Sequence, residues 1–411
     1  MSTARILVLS VLLALLFAYL LHFGITSLHG ASDDLFPPWV LARLAVTGHR
    51  ADTYDLATQL ALFDDPTLPG YRWMVKDAPQ IRGIGICPYP PTAVVVYAPL
   101  GLLSFDAAGL VVYFGSIAMA LVAAGIISRI TAGRIGMLLA CVAILYDPAF
   151  NQVTLPLGQN GPLTLVLLAA GWLAVCRGRE LTAGLCWGLF AYKPQWLLAV
   201  GWLPLAIGRP RIWVGMAVTA GLLAAAATAW LGPDAWSRWL TQLAAVDHVY
   251  ATDAEFHRFQ LPLGCDLRSV AYRYFIPAIA RPLGWAAIGL VAAATTIWNR
   301  MRPAAGVNAP EAVGLLFACG LTVPHLYYYD EMVFVLPLLV LWSHRARLAR
   351  WQLGGLIALT AMYYAAYFIF MLSRWIEQPP VWTVTVVGFW ALALTVKSEG
   401  SKSWPSASTA R

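Results

Sequence analysis

The chain has 411 residues, of which 60% are hydrophobic and 11% charged, and its mean hydropathy is +0.68. Soluble globular chains carry about 25% charged residues, so composition argues against a water-soluble fold. The net charge of +7 sits in short loops between apolar runs, with no basic run interleaved with aromatics, which leaves no case for a nucleic-acid partner.

Backbone groups in lipid must be satisfied within helices or a closed barrel. Barrel strands alternate with period 2, whereas stretches such as Met216–Ala227 are apolar throughout. The expected fold class is therefore an all-α integral membrane bundle. Spans need about 20 apolar residues, and Ile212–Pro233 and Trp351–Ser373 are charge-free at that length. Twelve spans are expected, near 5–28, 107–128, 135–148, 160–176, 181–192, 193–207, 212–231, 278–298, 310–325, 328–343, 352–372 and 381–397. The first run has a signal-like character, but no Ala-x-Ala motif precedes His29, so it reads as a retained first helix. Residues 1–400 form a single domain on this reading, and 401–411 a disordered tail.

Asp33 and Asp34 follow the first span, ahead of Pro37-Pro38, which can open a helix. They read either as a solvated pair at the membrane exit or as a carboxylate serving as general base for an acceptor hydroxyl. The long segments 29–106 and 232–277 carry amphipathic stretches suited to the membrane interface. Leu56, Leu60 and Phe63 share one helix face, as do Trp236, Trp239, Leu243 and Val246. Tyr89-Pro90-Pro91 with Pro99-Leu100 makes the apolar stretch 90–105 re-entrant or interfacial. Cys87 and Cys265 lie in the two long segments and could pair if those meet, although connectivity is not readable from sequence; there is no CxxC motif.

Gly158-Gln159-Asn160-Gly161-Pro162 suits a turn, yet Gln159 and Asn160 are costly near lipid unless they face a cavity. Lys193 stands between two short apolar runs in Ala191-Tyr192-Lys193-Pro194-Gln195. It reads as a snorkelling lysine or as an anion site in which Pro194 frees backbone groups and the ammonium meets a phosphate. His325-Leu326-Tyr327-Tyr328-Tyr329-Asp330-Glu331 has the tyrosines of an aromatic belt, while its His, Asp and Glu exceed what a belt needs and suggest a cavity lining. No Walker A, GxGxxG, HExxH or GxSxG motif is present. Neither a cofactor nor a metal is expected.

Loop charge sets the expected orientation. With the N-terminus in the cytoplasm, the inner loops hold 15 basic and 3 acidic residues, a net of +12, against −5 for the remainder. The positive-inside rule thus favours both termini inside. Asp34, Gln159, Lys193 and His325 then share the outer side.

In order along the chain, Asp34 with Trp39, Gly48 and Tyr54-Asp55, then Tyr89-Pro90-Pro91, Gly158-Gln159-Asn160, Lys193-Pro194-Gln195 and the tyrosine turn ending in Asp330 resemble the polyprenol-phosphate-mannose-dependent glycosyltransferases, glycosyltransferase family 87. The likeness runs from about residue 30 to 345 and implies a GT-C fold. It implies transfer of a hexose, usually mannose, from a polyprenyl-phosphate donor to a lipid or glycan acceptor outside the cell membrane. The family's base aspartate corresponds to Asp34, with Asp33 a possible substitute because Asp-Asp-Leu stands where relatives have Asp-Phe. A late-loop histidine of relatives has its nearest counterpart in His325. Lys193, with Arg258 or Arg268 from the second long segment, would neutralise the leaving phosphate. Tyr89, Gln159, Asn160, Gln195, Tyr329 and Asp330 would line the substrate site. The competing reading is a transporter or flippase for a lipid-linked or anionic solute, built on broken helices.

Overall fold

The structure, a computed structural model, describes residues 33–63, 88–252, 264–302, 312–372 and 381–396, together with scattered helical positions between 7 and 18. Most of the first expected span, Cys87, Arg258 and the 401–411 tail lie outside the described residues. Every regular element among those described is helical, and an isolated antiparallel bridge joins Gly264 to Tyr327.

Apolar side chains lie on both sides of these helices. In Arg211–Leu231 the buried residues are few, whereas Val214, Val218 and Leu222 turn outward at 55%, 48% and 67% exposure. An outward apolar stripe of this length fits lipid rather than water. The interior is a continuous core that includes fully buried Trp172, Trp187, Trp196, Phe150, Phe190 and Phe317. The chain is a helical membrane protein.

Twelve spans are not confirmed among the described residues. Three described helices are long and apolar enough to cross a membrane: Phe105–Ile130, Arg211–Leu231 and Pro277–Met301. Met137–Leu145 and Ala149–Leu157, bent by 54°, add a fourth if they form one span. Among the described residues, prolines divide several of the expected apolar runs into short helices. The stretch 181–207 becomes Glu180–Gly188, a 3₁₀ turn Leu189–Tyr192, Pro194–Gly201 and Leu203–Ile207. Pro194 and Pro204 each open a new helix, the position where a missing N–H costs nothing. The proline-rich stretch near 90–105 forms a short helix, Pro91–Gly101, and Ser104 then caps Phe105–Ile130.

Phe36–Val46 packs on Pro91–Gly101, fixed by Arg43 Nη1 donating to the Gly101 carbonyl at 3.1 Å. Trp39 Nε1 donates to the Leu103 carbonyl at 3.3 Å, and Phe105 sets its ring edge-on to Phe36 and Trp39. The Asp34 segment therefore lies against the N-terminal end of Phe105–Ile130. The two long segments, 29–106 and 232–277, also meet. From the Asp234–Thr252 helix, Arg238, Gln242 and Trp239 donate to the carbonyls of Ala51, Tyr54 and Pro88 at 2.8, 3.1 and 3.0 Å.

Candidate active site

Three breaks in helical continuity assemble one polar cluster in the apolar core. At the first, the chain leaves Met137–Leu145, turns through Asp147 and Pro148, and runs as a π-helical turn over Ala149–Thr154. Such turns recur at functional sites. This one delivers Thr154 to donate to the Tyr329 carbonyl at 3.0 Å. The turn then closes at Gly158, whose φ of +70° is the left-handed conformation that ends a helix.

The second break is Asn160, just before Gly161–Cys176. The third is Lys193, whose φ and ψ of −137° and 75° lie outside the helical region, the region disfavoured for a residue before proline. The Lys193 ammonium is 2.6 Å from Asp330 Oδ1 and donates to Asn160 Oδ1 at 2.8 Å. Asn160 Nδ2 donates to the Tyr97 hydroxyl at 2.9 Å. Thr164 donates to the Asn160 carbonyl and is bonded to the Tyr192 hydroxyl, each at 3.2 Å. Lys193, Asp330 and Asn160 are buried at 5%, 1% and 8% exposure, which makes this ion pair an interior one.

An aromatic wall adjoins the pair. Lys193 Nζ lies 5.8 Å from the Tyr329 ring centre. Tyr329 stacks on Tyr327 at 5.5 Å, and His325 meets Tyr327 edge-on at 4.5 Å. Tyr89 packs edge-on to Tyr97, and its carbonyl accepts from the Tyr54 hydroxyl at 2.8 Å. Tyr89, His325, Tyr327 and Tyr329 are half-buried, so one side of the wall remains accessible beside the buried charges.

The sequence-derived site residues fall as follows. Lys193 bonds to Asn160 and Asp330 and lies beside the Tyr329 ring. Asp34, half-buried on the Asp33–Leu35 turn, lies within electrostatic reach of Tyr329. His325 is within electrostatic reach of Arg268 and Lys193, while Arg268 also sits 4.9 Å over the Trp285 ring. Asp266 caps the helix bearing Arg268 through Ser269. Asp33 belongs to the same turn as Asp34. Gln159 is buried, its N–H bonded to the Thr154 carbonyl at 2.9 Å, and Gln195 is half-buried on the first turn of Pro194–Gly201. Cys265 is buried; Cys87, its expected partner, and Arg258 lie outside the described residues. Among the described residues no three His, Cys, Asp or Glu side chains converge as a metal site.

The carboxylate facing Lys193 is Asp330, so much of the ammonium's charge is already matched within the protein. Three residues of the cluster carried no separate role in the sequence reading: Tyr97, Thr164 and Tyr192. Tyr97 had a signal, since a lone phenol inside the run Val94–Pro99 needs a partner when buried. Thr164 had none.

The family model described as Glycosyltransferase family 87 matches residues 88–324, more than half of the chain. No curated protein and no solved structure matches it.

Proposed function

This chain belongs to glycosyltransferase family 87 and is a glycosyltransferase, and we propose that it moves a hexose, mannose in the first instance, from a polyprenyl-phosphate donor to an acceptor hydroxyl on the extracytoplasmic face. Both termini lie in the cytoplasm on this reading, as the loop charge favours. The acceptor is a lipid or glycan presented at the membrane surface. Asp34 takes the hydroxyl proton as its oxygen bonds to the anomeric carbon. The bond from that carbon to the phosphate oxygen breaks, and polyprenyl phosphate leaves as the anion. Charge at the anomeric carbon passes through an oxocarbenium-like state, and a single displacement inverts it.

The observation that best supports the reading is convergence. Asp34, the Lys193–Asp330 pair, the Tyr329 wall, His325 and Arg268 come from four separated stretches of sequence and gather around one region. A departing phosphate needs positive charge rather than a proton. Because Lys193 shares its charge with Asp330, Arg268 carries the larger part of that duty, with His325 near both cations. Gln159, Gln195 and Tyr89 are assigned to substrate contacts, Asp33 to a substitute base, and Arg258 to the donor phosphate.

The test is mass spectrometry of lipids and glycans from a deletion strain complemented with wild type or Asp34→Asn. Wild type should restore one product heavier by one hexose, and the variant, inserted in the membrane at equal amount, should not. Restoration by Asp34→Asn would overturn the base assignment.

A further inference from the structure

The far end of the bundle carries a second polar site. Phe105–Ile130 begins at Phe105, against Phe36 and Trp39. At about 1.5 Å per residue its 26 residues reach roughly 39 Å to the opposite pole. There the chain turns sharply. Ala132 has φ +51°, the one positive-φ position outside glycine among the described residues. Thr131 locks this turn by donating to the Ile127 carbonyl at 3.0 Å and accepting from the Ile135 N–H at 3.3 Å. A residue held in that region persists where its surroundings over-determine it.

The turn delivers Arg134 to His344, 210 residues away: Arg134 Nη1 donates to His344 Nε2 at 3.0 Å. His344 is buried and held from its other side, Nδ1 lying 2.9 Å from both the Val340 carbonyl and Ser343 Oγ. With its Nε2 accepting, the ring is neutral, so it adds no negative charge to match the arginines. Beside it lies a cavity of about 410 Å³ lined by Arg134, Ser343, His344, Arg345, Ala346 and Arg347. That volume is within the range of ligand pockets, about 300–1,000 Å³. It holds three guanidiniums and, among its lining residues, no carboxylate. Basic pockets between membrane helices on the cytoplasmic side suit phospholipid head groups, and guanidiniums pair with phosphate through two parallel donors.

We propose that this pocket binds a phosphate-bearing anion, the head group of an acidic phospholipid, at the pole opposite the transfer site. The site is separate from the glycosyl-transfer assignment and stands whether or not that assignment does. Arg345 and Arg347 are exposed and supply the grip, while Arg134 is positioned by the buried histidine.

The test uses the purified full-length protein in a neutral detergent. Binding of dioctanoyl phosphatidylglycerol, dioctanoyl phosphatidylcholine and inorganic phosphate is measured for wild type and for Arg345→Gln/Arg347→Gln. The proposal expects saturable phosphatidylglycerol binding that weakens at least tenfold in the double variant, with phosphatidylcholine at least tenfold weaker on wild type. The variant's melting temperature without lipid should stay that of wild type, because both side chains are exposed. Phosphate competing fully at low millimolar concentration would overturn the lipid in favour of a free phosphate as occupant; no competition would support the lipid. Equal binding by wild type and variant, or equal binding of both lipids with no phosphate binding, would overturn the site. Arg134→Lys provides an independent variant: it keeps the charge but loses the fork, and should weaken phosphatidylglycerol binding by a smaller factor.

Discussion

Lys193 stands where one helix has ended and proline opens the next, and its ammonium is 2.6 Å from a carboxylate, both side chains being buried. Removing one member of a buried pair strands the other charge and costs about 3–5 kcal/mol, whereas replacing both with apolar groups is often neutral. Asp330→Asn should therefore lower unfolding stability in detergent by about 3–5 kcal/mol. The double variant Lys193→Met/Asp330→Leu should recover most of that stability without recovering transfer. A single variant as stable as wild type would show that the pair is not an interior one. Asp34 differs, being half-buried on a short 3₁₀ turn. As a general base it is expected to contribute about 10²–10⁴ in rate, with little effect of Asp34→Asn on stability.

At the level of elements, two features shape the surroundings of the site. Glu180–Gly188 crosses Arg211–Leu231 at close approach where Gly184 faces Gly215. A Cβ on Gly184 would lie 2.8 Å from the Gly215 Cα, and one on Gly215 would lie 2.9 Å from the Gly184 Cα. Small residues permit such backbone contact in membranes. Gly184→Val should force the helices apart and cost about 1–3 kcal/mol or more, read as a lower unfolding temperature. Gly221, on the same Arg211–Leu231 helix, has open space beside it, so Gly221→Ala should leave the unfolding temperature unchanged or raise it slightly. The second feature is the Leu56–Phe63 helix, where Asp55 Oδ2 accepts from the Thr58 N–H and hydroxyl, both at 2.9 Å. These bonds, the backbone one foremost, hold the Asp55 carboxyl below its ordinary value of 3.8. A lowered folded value means the cap's support is present above that ordinary value and fades as pH falls through the lowered one. Amide-exchange protection at residues 56–63, taken against the intrinsic rate at each pH, should fall below pH 3.8, and Asp55→Ala should show the lower protection already at neutral pH.

The sequence was informative about chemistry and less so about helix length. Gly158-Gln159-Asn160 and Lys193-Pro194 stood out because polar residues at helix breaks are costly in an apolar chain, and both breaks do contribute to the cluster. Continuous apolarity, however, does not report where a helix bends. The run around 135–157 contains Pro148 and Pro156, yet only the structure shows the π-helical turn and the 54° bend. Partners across the fold were equally hidden. Lys193 and Asp330 are 137 residues apart, and nothing local indicates that the lysine's anion would be a protein carboxylate.

For the whole molecule, the uneven charge predicts which pole faces the cytoplasm. Ser237 is exposed on the Asp234–Thr252 helix, and Ala346 is exposed at the arginine-rich pole. In intact cells a membrane-impermeant maleimide should label Ser237→Cys, whereas Ala346→Cys should react only after lysis. The reverse pattern would place the transfer site in the cytoplasm and remove the basis for a lipid-linked donor. The central claim is tested most directly with proteoliposomes holding wild type or Asp34→Asn. They are supplied with polyprenyl phosphate carrying radiolabelled mannose and with membranes of the deletion strain as acceptor. Wild type should transfer label at least a hundredfold faster than Asp34→Asn, and labelled nucleotide sugar should give no transfer. Equal transfer by the two proteins, or transfer from the nucleotide sugar alone, would contradict the account.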